Sequence, residues 1–475
     1  MTVTTSPQGA APGAAAADPY AAAPGAATPA AGAGAPGRPA PAGRSRLARR
    51  LSDTPGRLAL ATVVAVVASI GLGALGFVAG IGQSGALDDV RTDAAQLVGT
   101  QELRNDLVSA DATATNAFLV GGLEPAEARA RYEDAMTSAA QAVPRLAAGA
   151  PEDTGLQSVS GAIQEYAGLV ESARANNRQG FPVGAAYLDQ ASATLRSGTL
   201  PTLDEVAGQT AQRVEDGQSS VAFTQALLAL VWLGLVGLVG VQVWLARRTH
   251  RVLNVRLVLG TAVALVGAVV VTAAVVGGNG VARGVNDGPY GAVVTSSQAL
   301  AQATDAKSME SFTLIKRGSG QAYENRFVAC TDTSALTPEQ LADEAFAEAL
   351  AVCPLSAAEI LDQATADGQL AGSSSTLLGQ WVAEHQEIRA LDDGGEWEDA
   401  VAAATASGEG TAAAAFDAFA EQVRDDITAS GQEVDQRLGS ASGTSATAAW
   451  VALLAGLIAA VLAASGLNVR MKEYR

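Results

Sequence analysis

The sequence predicts an all-α membrane protein. It has four transmembrane helices and two extracytoplasmic four-helix bundles, sensor-like and related by internal duplication. Three observations predict this. Four apolar runs of 20 or more residues contain no charge, histidine or proline. The polar segments between them carry apolar residues at helical spacing. Two of those segments match each other at nearly constant offsets.

The apolar runs are Leu58–Gly82, Val221–Ala246, Leu257–Gly277 and Ala448–Leu467. At about 1.5 Å per residue, each can cross a hydrocarbon core of about 30 Å. A buried core helix of a soluble protein rarely runs this far without a charge. A signal peptide is the alternative for the first run, but its length and its start after 57 residues favour an anchor. Arg38, Arg44, Arg46, Arg49, Arg50 and Arg57 precede the first run, and Arg247, Arg248, Arg251 and Arg256 lie between the second and third. Arg470, Lys472 and Arg475 follow the fourth. If all four runs span, these clusters share one side, and the positive-inside bias makes it cytoplasmic. The expectation is a multi-pass protein of the cell membrane with both termini in the cytoplasm.

The divisions expected are a disordered Ala/Pro/Gly-rich tail (1–57) and membrane helices at 58–82, 221–246, 257–277 and 448–467. Outer bundles occupy 83–220 and 278–447, a basic loop 247–256 and a short tail 468–475. Nine of the 17 prolines precede residue 58, and that tail has too few large apolar side chains to offset its ordering entropy. Its end, Arg49-Arg50-Leu51-Ser52 with Thr54-Pro55, resembles a basophilic kinase site. The favoured reading is a basic anchor on anionic lipid, with Arg49, Arg50, Arg247, Arg248 and Arg251 as cytoplasmic basic contacts.

In the first outer segment Leu156, Val159, Ile163, Tyr166, Val170 and Ala173 form a bundle seam, and Leu87–Leu97 and Leu107–Ala117 repeat the pattern. Breaks are expected at Gly121-Gly122, from Pro144 to Gly155 and from Asn176 to Pro182, with a further one at Pro201. Four helices returning the chain to the membrane make an up-down-up-down bundle.

Asp111-Ala112 and Phe118 match Asp305-Ala306 and Phe312 at an offset of 194. Ile163, Tyr166, Arg174, Ala175, Gly180 and Ala185 match Leu378, Trp381, Arg389, Ala390, Gly395 and Ala400 at 215. The difference of 21 residues places an insertion in the second unit, where Cys330 and Cys353 lie 23 apart. Outside the membrane their oxidation to a disulfide is favoured over two free thiols.

The formal net charge of −18 is polarised. The parts expected in the cytoplasm hold 13 basic and 3 acidic residues, the first outer segment 9 and 19, and the second 8 and 26. No broad basic surface suits nucleic acid. Two cysteines and two histidines leave little for a zinc site or a Cys/His catalytic pair. No Walker, HExxH, GxSxG or kinase signature is present, so neither an enzyme nor a cofactor is expected. Arg174 and Arg389, at matched positions before a turn, are candidate ligand or partner contacts, against a helix-terminal role on the dipole. His385 reads as a core histidine. The apolar runs hold no charged relay, which argues against an ion-coupled transporter.

The outer bundles are similar to the sensory domains of chemoreceptors and sensor kinases, without a HAMP segment, signalling coiled coil or kinase. The arrangement over about residues 55–475 resembles the GlnX membrane proteins of actinobacteria. The carrying features are the four membrane helices, the two outer domains, the loop Arg247-Arg248-Thr249-His250-Arg251, and the segment Ala175-Asn176-Asn177-Arg178-Gln179-Gly180-Phe181-Pro182-Val183-Gly184-Ala185-Ala186-Tyr187. The resemblance implies a relay of amino-acid availability from the solute-binding lipoprotein GlnH to the soluble kinase PknG. The partners implied are the lipid bilayer, such a lipoprotein and such a kinase; a homodimer is also compatible. The alternatives are a direct chemoreceptor-like sensor of a small molecule and a structural or transport-accessory membrane protein.

Overall fold

The computed structural model describes residues 54–121, 123–149, 155–217, 221–249 and 254–473. Among them every regular element is a helix. The elements are α1 (Thr54–Val120), α2 (Ala126–Gly149), α3 (Leu156–Arg178), α4 (Val183–Thr194), a π-helical turn π1 (Leu195–Thr199), α5 (Leu200–Gly217) and α6 (Val221–Thr249). They continue with α7 (Val255–Val285), π2 (Asn286–Tyr290), α8 (Gly291–Ile315), α9 (Gln321–Thr331), α10 (Pro338–Leu341), α11 (Glu344–Val352), α12 (Ala357–Ala366), α13 (Ser373–Asp393), α14 (Trp397–Thr405) and α15 (Ala412–Glu473).

Among the described residues four helical stretches are long and apolar enough to cross a membrane, within α1, α6, α7–α8 and α15. This is an all-α membrane protein. The apolar stretches form a stem, and the remaining helices form a head. With 67 residues, α1 is about 100 Å long and runs from the stem deep into the head. It stops where Gly121 takes a left-handed φ of 71° and donates its N–H to the Phe118 carbonyl at 3.2 Å.

The first helix and the last, α15, run antiparallel through both stem and head. Their contacts climb from Gly73 beside Gly456, through Ser84 bonded to Ser442 at 2.9 Å, to Arg91 paired with Asp435 at 2.5 Å. A Cβ on Gly456 would lie 2.6 Å from the Gly73 Cα, so only glycine permits this approach. Across the stem, Trp232 Nε1 of α6 donates to Thr272 Oγ1 of α7 at 3.2 Å, and Gln242 of α6 donates to Thr261 of α7. Such bonds matter where no water is present to satisfy a polar group.

In the head, α1, α2, α3 and α4–π1–α5 form the first repeat; α8 to α15 form the second. The expected seam on α3 is buried in full, from Leu156 to Ala173. The matched turns also agree: α3 and α13 are followed by Gly180 and Gly395, both left-handed at φ 70° and 84°. One apolar core passes through both repeats, joining Leu107, Tyr166 and Leu188 to Phe312, Trp381 and Phe419.

Two proline positions depart from the expected breaks. Pro144 lies inside α2, which continues to Gly149, and Pro201 lies inside α5. The turn π1 ends two residues before Pro201, and π2 contains Pro289. A proline lacks an N–H and crowds the carbonyl four residues back, and a π turn absorbs that defect without ending the helix.

Candidate functional site

The deepest polar cluster lies where the two repeats meet. Leu107, Asp111 and Ala114 fall on one face of α1, which turns the Asp111 side chain inward, where it is 1% exposed. Its match, Asp305 on α8, approaches from the other repeat. Two carboxylates brought together in a core would repel, and Arg196 of π1 lies between them. Its Nη2 donates to Asp111 Oδ2 and its Nε to Asp305 Oδ1, both at 2.7 Å. Arg326 of α9 closes the chain, with Nη2 2.9 Å from Asp305 Oδ2. The set of two aspartates and two arginines is electrically balanced.

Hydroxyls complete the cluster. Ser192 and Tyr166 donate to Asp111 Oδ1 at 2.5 and 3.3 Å, and Ser308 donates to Oδ2 at 3.1 Å. Burial would push the Asp305 carboxyl up, but Arg196 and Arg326 outweigh it and hold the carboxyl below its ordinary range. Burial, and then the Asp111 charge, raise the Tyr166 phenol well above its usual value.

A cleft of about 410 Å³ opens beside this cluster. One wall is α4–π1, with Asp189 and Arg196; the other is the insertion, with Tyr323 and Arg326 on α9 and Glu348 on α11. Cys330 and Cys353 form a disulfide that ties the end of α9 to the residue after α11. The bridge therefore fixes the outer wall. Asp189 accepts from Tyr323 Oη at 2.7 Å and from Lys316 Nζ at 3.1 Å, linking the walls at the rim.

A second cluster lies within the second repeat. His385 of α13 places Nδ1 2.9 Å from Glu310 Oε2 and Nε2 3.2 Å from Glu324 Oε1, while its ring stacks on Phe327 with centroids 3.5 Å apart. Lys307 pairs with the other Glu310 oxygen. Burial opposes protonation of His385, but bonds to Glu310 and Glu324 outweigh it and raise its pKa. Burial likewise acts against the Glu310 charge, yet Lys307 and His385 bring its pKa down to about 2. His385 is thus a core histidine with two carboxylate partners.

The matched arginines sit in separate surroundings. Arg174 pairs with Glu124 at 2.9 Å and Glu171 at 2.8 Å and lies over the Tyr132 ring at 4.1 Å. It lines another cleft, of about 450 Å³, at the far end of α1. Arg389 pairs with Asp392 and Asp393, each at 2.5 Å, and with Glu324 at 3.3 Å. Each guanidinium is held by carboxylates close to its own helix end. Of the basic contacts expected at the membrane, Arg247 is exposed near the end of α6. Arg49, Arg50, Ser52 and Arg251, and the side chains of Arg248 and Thr54, lie outside the described residues.

Sequence reasoning missed Arg196 and the cleft. One signal was available. An aspartate recurs at the same position of both repeats, and on α1 it shares a face with Leu107 and Ala114. Charge on an apolar face requires a partner, and the partner came from a distant helix.

Residues 86–219 match the family model described as the actinobacterial sensor domain. The matched span takes in Asp111, Tyr166, Arg174 and Arg196. No curated protein matches the chain, and no solved structure does. The family match supports an actinobacterial sensor protein, with a sensing or signalling role.

Proposed function

We propose that the protein is a multi-pass transmembrane relay without catalysis of its own. Its head faces outward and takes up an extracytoplasmic signal, an amino acid or other nutrient. The output passes to a separate cytoplasmic partner such as a Ser/Thr kinase. The observation that carries this reading is the unbroken course of α1 and α15. Both begin or end in the head core, cross the stem and pack against each other along the way. A shift at the cluster between the two repeats can travel along such rods as a small translation or rotation. The excess of basic residues beside the apolar runs supports the orientation, with both termini inside. The resemblance to the GlnX proteins supports a solute-binding lipoprotein as input and a soluble kinase as output.

The chain purified from native membranes should bring down a solute-binding lipoprotein and a kinase. Recovery of transporter or cell-wall components alone would replace the relay with an accessory role. A second experiment tests the rods. A cysteine pair at Ser84 and Ser442, when oxidised, should abolish signal-dependent change in the partner, and reduction should restore it. Unaltered signalling through the locked pair would sink the mechanism. The second reading, direct sensing of a small molecule, is favoured by the cleft between the repeats.

A further inference from the structure

The insertion is the largest difference between the repeats, and its placement is informative. Where the first repeat has the single helix α2, the second has α9 to α12. Two of these short helices, pinned by the disulfide, form a wall against the first repeat. The space enclosed, about 410 Å³, is in the range of small-molecule sites. Its apolar surface comes from Ala193, Met309, Ala322, Ala349 and Val352.

The polar groups that line it are of both signs. Arg196 donates through Nε and Nη2, and so does Arg326. Among the described residues neither Nη1 makes a hydrogen bond, so each guanidinium keeps donors to offer. The buried aspartates already balance both charges, so the arginines provide directed donors without a strong positive field. A simple anion would lose hydration for little Coulomb gain there. Glu348, on the insertion wall with Arg326 and across from Arg196, is exposed and has no ion pair among the described residues. It and the Tyr323–Asp189 pair suit a cation.

We infer that the cleft between the repeats binds a small zwitterion, its carboxylate on Arg196 and Arg326 and its ammonium on Glu348. This rests on reading the chain as a sensor, and it makes that sensor a direct one. A molecule bridging π1 and α11 would draw the insertion onto the first repeat, next to the cluster that joins α1 to α8.

The test uses the full chain in lipid nanodiscs, with calorimetry and thermal melting. The probes are L-alanine, L-valine and L-glutamine as zwitterions, succinate as a carboxylate alone, and butylamine as an amine alone. At least one zwitterion should bind saturably and raise the melting temperature, while succinate and butylamine do neither. Glu348→Gln, a change at an exposed position, should weaken binding about tenfold or more, as should Arg326→Lys. Ala345→Trp, also exposed and in the cleft wall, should abolish binding without lowering the melting temperature of the free protein. Absence of binding by every zwitterion overturns the inference, as does binding that survives both Glu348→Gln and Ala345→Trp. Such a failure leaves the relay standing, because the Ser84–Ser442 lock tests the rods independently of the cleft. Conversely, zwitterion binding with free signalling through the lock would remove the relay and keep the site.

Discussion

The two repeats place their interruptions in opposite helices. In the first, the incoming helix α1 is unbroken, and the outgoing one is interrupted by π1. In the second, the incoming helix is interrupted by π2, while the outgoing α15 runs for 62 residues. The unbroken pair packs together along stem and head, and the interrupted pair carries the two π turns. In each repeat one helix is a rod and the other bends at a π turn, and the turn of the first repeat holds the bridging Arg196.

The interiors differ in the same way. Val170 is an apolar seam residue in the first repeat, and its match His385 holds two glutamates in the second. The sharpest way to break the comparison is at the shared cluster. Asp305→Ala leaves Arg196 and Arg326 short of their common counter-charge, and should destabilise the head by about 3–5 kcal/mol in denaturant unfolding of the detergent-solubilised chain. Replacing both Cys330 and Cys353 with serine should cost about 3 kcal/mol, read as loss of order in α9 to α11 by hydrogen exchange. The first repeat should stay protected.

The glycine crossing comes next. Gly456→Leu should force α1 and α15 apart and lower stability by about 1–3 kcal/mol in thermal melting. His385→Val makes the second interior resemble the first but leaves Glu310 with Lys307 alone, at about 1–3 kcal/mol. It should also flatten the pH dependence. The folded pKa of His385 is raised above the ordinary 6.5, so its contribution is full below that value. It is lost as pH rises through the folded pKa, and melting of wild type against His385→Val from acid to alkaline pH checks the sign. The smallest effect is expected from Arg91→Ala, whose exposed pair with Asp435 should leave the melting temperature unchanged.

Much of the fold was legible because it follows from local spacing. The apolar runs, the α3 seam and the turn glycines at 121, 180 and 395 each rest on residues within a few positions of one another. The two cysteines were legible as well, since two cysteines 23 residues apart in a segment expected outside the membrane have little else to do than pair. The rest depended on contacts between distant positions. That Asp111 and Asp305 converge on one arginine, and that both repeats share a core, follows from how α1 meets α8. The break expected from Pro144 to Gly155 does contain the end of α2 at Gly149, but Pro144 itself stays inside the helix, and at Pro201 the chain bends through π1 without breaking. For Arg174 and Arg389 the repeat register was informative about place and silent about partners.

The pairing of Gly73 with Gly456 also has a consequence for biogenesis. Helix α1 closes against α15, so their contact cannot form until α15 has emerged, more than 300 residues later. Until then the small-residue face of α1 lacks its α15 partner, and the halves of the head share no finished interior. Assembly should therefore be late and all-or-none. A chain stopped after α7 should be captured by membrane quality control rather than persist as a folded half.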